Sequence, residues 1–160
     1  MTTKIPFERA MADHGPTVLR VCTAVLGPGP DAEDAYSETF LSALRRWPDL
    51  ADDTNVEAWL VRVAQRKAVD VIRARARHAI PSAAVPDRES THTGDSEVWH
   101  VVAKLPERQR LAVAYHYLGG LPHAETAELT GSTPAAVRRA AADGIKALRS
   151  ALADPSKDMT

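Results

Sequence analysis

A row of arginines in the first half of the chain has the residue type and the spacing of a surface that binds negatively charged groups. Residues 56–77 contain no proline or glycine, so this segment is predicted to form one long helix. A step of about 100° per residue places four arginines within roughly 60° of one another, namely Arg62, Arg66, Arg73 and Arg77. These like charges repel each other, and an anion is therefore their expected partner.

The alternative for this arginine stripe is a solvated surface helix. Apart from Asp70, the segment lacks the acids that would balance the arginines at the i,i+4 spacing, and this favours the binding surface. Trp59 lies near the edge of the stripe, where an indole can stack on an unpaired base. A core position for Trp59 is the other interpretation, and we favour it. The opposite side of the helix, predicted to face the core, carries Ala64, Ala68, Val71 and Ile72.

Residues 122–149 have the layout of a helix-turn-helix, with a short helix, a glycine turn at Gly131 and a second helix. Thr133 is a suitable N-cap for the second helix, and Pro134 suits its first turn. Early residues of such a helix reach base edges and later ones meet phosphates. The outward arc carries Arg138, Arg139 and Lys146. A purely structural helical hairpin is the alternative.

An acid and a glycine interrupt this second helix at Asp143 and Gly144, and Asp-Gly is also a turn signal. The apolar stripe nevertheless runs from Val137 to Leu152 without a change of phase, so we expect the helix to be continuous.

Catalytic motifs are missing from the sequence. There is no GxxxxGK loop, no GxSxG elbow and no HExxH pair, and the His-Ala-Glu at residues 123–125 lacks the PCxxC of zinc deaminases. The single Cys22 excludes an internal disulfide and a thiolate-rich zinc site. We therefore expect a protein that is not an enzyme and that uses no cofactor, no metal and no small-molecule substrate.

The composition favours a folded, all-α protein. Hydrophobic residues make up 44% and charged residues 26%, whereas aromatic residues make up only 5% and alanine, leucine and arginine are abundant. The N-terminus lacks the apolar core of a signal peptide, and no apolar run approaches the length that spans a bilayer. These features predict a cytoplasmic protein without a membrane partner.

Breaks in the helical pattern predict two small helical domains. A helix from Phe7 to Leu26 stops at GPGP, and a second one is expected from an N-cap at Asp31 to about Trp47, with Tyr36, Phe40, Leu44 and Trp47 on one stripe. Residues 79–95 contain prolines, a glycine and several hydroxyl residues, and show no period, which is typical of a flexible linker. The predicted organisation is a first domain at 1–78, the linker at 79–95, a second domain at 96–153 and a tail at 154–160.

The net charge of -1 conceals an uneven distribution. Residues 29–55 hold seven acids against two arginines, and residues 56–78 hold six basic residues against two acids. Acids at the positive end of a helix dipole need no partner, which accounts for Glu33 and Asp34. Glu38, two turns into the helix, is less well explained.

Three segments resemble regions two and four of the sigma-70 family of RNA polymerase sigma factors. They are DAEDAYSETFLSALRRW (31–47), NVEAWLVRVAQRKAVDVIRARAR (55–77) and LPERQRLAVAYHYLGGLPHAETAELTGSTPAAVRRAAADGIKALR (105–149). Because no region three lies between them, the chain resembles the extracytoplasmic-function (ECF) group. The resemblance covers roughly residues 7–78 and 97–152. It implies a factor that directs core RNA polymerase to promoters and assists initiation.

The resemblance also implies roles for individual residues. Contacts with the clamp helices of the polymerase β' subunit would come from Asp34, Glu38, Phe40 and Leu41. The minus-ten element and melted strand would be held by residues 52–55, including Asn55, and by Arg62, Arg66, Arg73 and Arg77. The minus-35 element would be contacted by Thr133, Arg138 and Arg139. Control by an anti-sigma factor or by expression is left open.

The second domain departs from the family pattern. Positions that are usually basic are occupied by Ala140 and Asp143, and positions that are usually aliphatic by Thr126 and Ser132. These changes predict a less stable domain and a weaker promoter contact. Two alternative functions are a stand-alone helix-turn-helix regulator and a protein-interaction module with a degenerate DNA-binding helix.

Overall fold

The computed structural model describes residues 5–78 and 96–153, and all regular structure within these two ranges is helical. The α-helices are α1 (Phe7–Leu26), α2 (Pro30–Arg46), α3 (Val56–Arg77), α4 (Ser96–Lys104), α5 (Glu107–Ala112), α6 (His123–Thr130) and α7 (Pro134–Ala153). A 3-10 turn, Trp47–Asp49, follows α2, and a π-helical segment, Val113–Leu118, continues α5. The predicted all-α fold with two helical domains is confirmed. The predicted linker 79–95 and tail 154–160 lie outside the described residues.

Helices α1, α2 and α3 pack on one another and form the first domain. Val18, Leu60 and Ala64 are fully buried at their centre. Phe7 closes one end, with its ring edge against Phe40 and against Trp47. Trp59 is partly buried against this core, with its ring centroid 6.4 Å from that of Trp47. The core interpretation of Trp59 therefore agrees with the structure.

Two predictions for α2 are wrong. The N-cap is Gly29 and not Asp31, which lies inside the first turn and accepts a hydrogen bond from Nε of Arg75 at 2.8 Å. Leu44 is 52% exposed instead of buried. The buried face of α2 consists largely of small side chains, which allow the helix to approach its neighbours closely, and Leu44 lies to one side of this face. The buried residues are Ala32, Ala35, Thr39, Phe40 and Ala43. Ile72 of α3, also predicted to be buried, is 37% exposed.

The helix-turn-helix forms as predicted in the second domain. Gly131 ends α6 with φ at +69°, a left-handed conformation that favours glycine, and the N–H of Ser132 donates to the carbonyl of Ala127 at 2.8 Å. Thr133 Oγ1 then accepts a hydrogen bond from the N–H of Ala136 at 3.1 Å, which is an N-cap contact at the start of α7. These two hydrogen bonds satisfy the backbone N–H groups of Ser132 and Ala136 at the turn between the two helices.

Helix α7 is continuous through Asp143 and Gly144, in agreement with the sequence. Gly144 is buried against the π-helical segment, and a Cβ at this position would lie 2.7 Å from Cγ2 of Val113. Glycine costs about 1 kcal/mol in a helix interior, but here it permits an approach that no other residue allows. Only the last turn departs from the predicted apolar stripe, because Leu152 is 39% exposed.

Two buried threonines differ in how their hydroxyl groups are satisfied. Thr39 and Thr126 are both 0% exposed. The Thr39 hydroxyl donates to the carbonyl of Ala35 at 2.6 Å, whereas Oγ1 of Thr126 has no hydrogen-bond partner among the described residues. A buried hydroxyl without a partner costs free energy, because it has lost its bonds to water. The unsatisfied hydroxyl group of Thr126 is the feature of α6 that agrees with the predicted lower stability of the second domain.

We expect Thr126→Val to raise the free energy of unfolding by about 1 kcal/mol, because valine has nearly the same shape and removes the unsatisfied group. The control is Thr39→Val, which removes a formed hydrogen bond and should lower the same quantity by about 1 kcal/mol. Both values are measured by urea unfolding followed by circular dichroism. A loss of stability in Thr126→Val equal to that in Thr39→Val would show that the Thr126 hydroxyl is satisfied.

Candidate nucleic-acid interface

The arginine stripe of α3 divides into a free part and an occupied part. Arg66, Arg73 and Arg77 are exposed, and none of the three forms an ion pair within the described residues. Arg62, nearest the N-terminus of α3, pairs through Nη2 with Oε1 of Glu125 in α6 at 2.5 Å. Three of the four predicted cations are therefore available to an anion, and the fourth is in contact with a carboxylate of the second domain.

A fifth arginine of α3 has a structural role that the sequence did not reveal. Arg75 donates from Nε to Asp31 and from Nη2 to the backbone carbonyl of Leu26 at 2.9 Å. These two bonds join α3 to the start of α2 and to the end of α1. Arg75 is thus held within the first domain and lies outside the arginine stripe predicted to bind an anion.

The N-terminus of α3 is capped by Asn55, one of the predicted DNA contacts. Its side-chain carbonyl accepts a hydrogen bond from the N–H of Ala58 at 3.2 Å. The carbonyl is therefore occupied, while the amide group of this exposed side chain can still donate. Asp52 and Asp53 are exposed in the turn that precedes it.

A groove between the start of α5 and the first turns of α7 forms the second basic surface. Thr133, Arg138 and Arg139 line it, and Lys146 is exposed further along α7. Arg108 of α5 also lines the groove, although no sequence motif singled it out. It lies in the LPERQR segment, and the packing of α5 against α7 brings it to the surface that carries Arg138 and Arg139.

Asp143 lies in this groove as an exposed carboxylate. No ion pair joins it to another described residue, although Arg139 and Lys146 are at the helical spacings that permit one. It therefore lowers the positive potential of the groove without neutralising a particular arginine.

Two histidines stack on each other, His116 of the π-helical segment and His123 at the start of α6. The ring centroids of His116 and His123 are 3.8 Å apart, and Nδ1 of His116 donates to the carbonyl of Leu121 at 2.7 Å. Partial burial, followed by the nearby positive charges of His116 and Arg138, lowers the pKa of His123 below its ordinary value.

Helix α2 carries a separate surface that is acidic and apolar. Asp34, Glu38 and Leu41 are exposed as expected, but Phe40 is only 5% exposed and packs against Phe7 and Tyr36. Phe40 is thus part of the core and does not reach a partner, so its predicted contact role is not supported. Leu44, missed because it was assigned to the core, is next to Leu41 one helical turn later.

Residues 5–78 and 96–153 show neither a metal site nor a membrane-spanning helix. No cluster of three or more histidine, cysteine, aspartate or glutamate side chains there has the arrangement of a metal site. None of the described helices combines the length and the apolar character needed to cross a membrane.

Comparison with known protein families gives two matches in order along the chain. Residues 10–78 match the sigma-70 region 2 model, and residues 95–148 match a sigma-70 region 4 model. The ECF RNA polymerase sigma factor ShbA of Streptomyces griseus is 33% identical over 159 residues, covering 87% of this chain and 83% of ShbA. The RNA polymerase sigma factor CarQ of Myxococcus xanthus is 29% identical, with 92% and 90% of the two chains covered.

Solved structures show the same fold at lower identity. The sigma factor RpoE of Bartonella quintana, in complex with the anti-sigma factor NepR, matches with a TM-score of 0.72, 16% identity and coverage of 91% of this chain and 96% of RpoE. CnrH in complex with the cytosolic domain of CnrY matches with a TM-score of 0.63, 22% identity and coverage of 91% and 86%.

Proposed function

The chain belongs to the extracytoplasmic-function group of the sigma-70 family, and we propose which of its surfaces bind RNA polymerase and which bind promoter DNA. As a sigma factor it directs core polymerase to promoters in transcription initiation. Family members act by binding and not by catalysis, in agreement with the missing catalytic motifs. The cytoplasm, where polymerase works, is the compartment that we propose for it.

The order of the two family matches is the observation that carries this proposal. Residues 10–78 match a region 2 model and residues 95–148 a region 4 model, so both halves are accounted for. A stand-alone helix-turn-helix regulator would leave the first match unexplained. We accordingly assign polymerase binding and minus-ten contacts to residues 1–78, and minus-35 contacts to residues 96–153.

The polymerase contact is assigned to the exposed face of α2. Asp34 and Glu38 supply negative charge, and Leu41 and Leu44 are 49% and 52% exposed. Exposed leucines beside acids suit a protein interface with an apolar centre and a charged rim. We propose that this face binds the clamp helices of the β' subunit.

Promoter DNA is assigned to α3 and to the α7 groove. On α3 the proposed contacts are the amide of Asn55 and the guanidinium groups of Arg62, Arg66, Arg73 and Arg77, which suit phosphates of a melted strand. In the groove, Thr133, Arg138 and Arg139 are placed to meet the minus-35 element, Lys146 to meet phosphate, and Arg108 to add a contact from α5. Asp143 reduces the total attraction.

An anti-sigma factor is a further proposed partner. The two solved structures described above are complexes of a sigma factor with another protein, NepR in one and the cytosolic domain of CnrY in the other. The chain matches RpoE over 91% of its length, a span that includes both regions. We propose that a protein of the same class controls this factor.

Run-off transcription with purified core polymerase tests the proposed function. Genomic fragments serve as a promoter library, and binding to core polymerase is measured separately by gel filtration. Transcripts that require the added protein, together with comigration, are the expected result. If no transcript requires the added protein and the protein does not comigrate with core polymerase, the assignment to transcription initiation is overturned.

We predict that Glu38→Lys weakens binding to core polymerase by about tenfold or more, because a charge at a protein interface is reversed. The matched control is Glu33→Lys on the same helix, where the charge change is equal but the residue lies about 140° away around the axis. Fluorescence anisotropy with labelled core polymerase gives the affinities, and circular dichroism checks the fold. Equal affinities for the two variants would remove Glu38 from the interface.

We predict that Arg138→Ala reduces affinity for a minus-35 element by the roughly 1–3 kcal/mol of a lost base contact, with a smaller effect on unrelated DNA. Lys146→Ala should instead weaken binding to the minus-35 element and to unrelated DNA by the same factor. It should also lower the slope of log affinity against log salt by about one, as expected for a phosphate contact. Both are measured by anisotropy on duplexes taken from the transcribed promoters. An equal loss on both DNAs for Arg138→Ala would make Arg138 a phosphate contact.

A further inference from the structure

The stacked pair formed by His116 and His123 holds one imidazole ring in a fixed place at the start of the helix-turn-helix. The ring centroids are 3.8 Å apart, and the ring planes are inclined to each other by 25°. Nδ1 of His116 donates a hydrogen bond at 2.7 Å to the carbonyl of Leu121, a fully buried residue. Because a carbonyl oxygen only accepts, Nδ1 of His116 carries a proton. The His116 ring is thus anchored to the core, and the His123 ring lies against it.

The His123 ring is oriented by this stacking, but its nitrogen atoms have no partner within the part of the chain that the structure describes. No hydrogen bond or ion pair joins it to another described residue, and His123 is partly exposed. One face of the ring lies against His116, whereas the two nitrogen atoms lie on the ring edge. Both nitrogen atoms donate hydrogen bonds when the imidazole is protonated. An external acceptor can therefore bind them.

The charges that act on His123 are positive. Partial burial, followed by the charges of His116 and of Arg138 in α7, lowers the pKa of His123 below its ordinary value. The acid of α7, Asp143, is five positions beyond Arg138, which places it about 140° further around that helix. The free protein therefore keeps His123 in its neutral form to a lower pH than an isolated histidine.

The acids of the neighbouring elements do not supply an anion to His123. On α6 itself, Glu125 and Glu128 lie about 160° and 140° away from it around the helix axis, and Glu125 is paired with an arginine of α3. Glu57 of α3 approaches the loop that precedes α6, but its carboxylate is 3.0 Å from Nδ1 of His14. Each of these carboxylates is thus turned away from His123 or engaged elsewhere.

The position of His123 agrees with the path of a DNA backbone over a helix-turn-helix. In such motifs the second helix lies in the major groove, and the first helix crosses the backbone. Arg138 lines the α7 groove, and its charge reaches His123 at the first residue of α6. A phosphate at this edge of the groove provides the negative charge that the surroundings of His123 lack. It also accepts charge-assisted hydrogen bonds from a protonated imidazole.

We propose that His123 takes up a proton from solvent when DNA binds and holds a DNA phosphate as an imidazolium ion, with His116 as the residue that positions its ring. This inference rests on the proposed binding of DNA by the α7 groove. A bound phosphate favours the charged imidazole, so the pKa of His123 is higher in the complex than in the free protein. The added affinity is therefore complete below the pKa of the free protein and is lost as the pH rises through the pKa of the complex.

The test measures duplex binding by the full-length protein as a function of pH. Affinity for a rhodamine-labelled duplex of mixed sequence is measured by anisotropy at constant salt from about pH 5 to about pH 8, the range in which histidine titrates. A mixed sequence is sufficient, because a phosphate contact does not depend on the bases. The matched pair is His123→Gln and His100→Gln, since each removes one histidine and His100 is an exposed residue of α4. Circular dichroism checks the fold of each variant.

We expect the affinity of the wild type to rise several-fold as the pH falls through this range, by at most about tenfold per pH unit for one proton. His123→Gln should lose this rise, and His100→Gln should keep it. His123→Lys should bind at every pH about as tightly as the wild type binds at low pH, because its charge is permanent in this range.

His116→Phe tests the positioning role, because phenylalanine keeps a ring for stacking but removes one positive charge beside His123. The rise in affinity should remain, and its midpoint should move to higher pH, since a neighbouring positive charge disfavours the imidazolium ion. If His116→Phe instead lowers the affinity by the same factor at every pH, His116 supports only the fold and its positioning role is rejected.

Two results would overturn the inference, with different consequences for the proposed function. If His123→Gln keeps the pH dependence of the wild type while Lys146→Ala still weakens duplex binding, the α7 groove binds DNA as proposed and His123 takes no part. If the wild type binds the duplex at no pH in the range, the proposed DNA binding by the groove fails, and the inference fails with it.

Discussion

Helix α1 packs against α2 and α3 of the first domain and also against α4, α5 and the π-helical segment of the second. Its buried residues, among them Val18, Val21 and Cys22, belong to a single cluster that includes Tyr115 and Leu121. Because apolar burial is the main favourable term in folding, this shared core sets the positions of the arginine stripe and of the acidic face of α2. A second, smaller cluster, made by Ala112, Ala127, Val137 and Ala141, holds α5, α6 and α7 together and shapes the α7 groove.

The electrostatics of the protein follow from this arrangement more than from its net charge of -1. Acids collect on α2 and arginines on α3 and α7, so a nearly neutral chain carries separate acidic and basic surfaces. Arg75 and Arg62 show that a basic residue of α3 is not always free to bind an external anion. The first is held by Asp31 and the second by Glu125.

Departures from the family pattern now have physical explanations. Thr126, at a position usually aliphatic, has a buried hydroxyl without a partner among the described residues, while Gly144 is required by the close approach of α7 to Val113. Asp143 remains exposed in the groove and weakens its potential. The acid and the glycine that seemed to interrupt one helix therefore have different surroundings, because Asp143 is exposed in the groove and Gly144 is packed against Val113.

The sequence by itself determined the helices and the faces of their residues, because capping, helix breakers and the period of 3.6 residues are local properties. Helices α1 and α3 begin and end as predicted, and the resemblance to sigma-70 regions two and four is confirmed. Only the tertiary structure decided which parts of those faces stay accessible. Phe40 is buried and Leu44 exposed because small side chains set the contact face of α2, and Arg62 meets Glu125 because residues 63 positions apart are brought together by packing. Such contacts depend on the whole fold, and no local pattern encodes them.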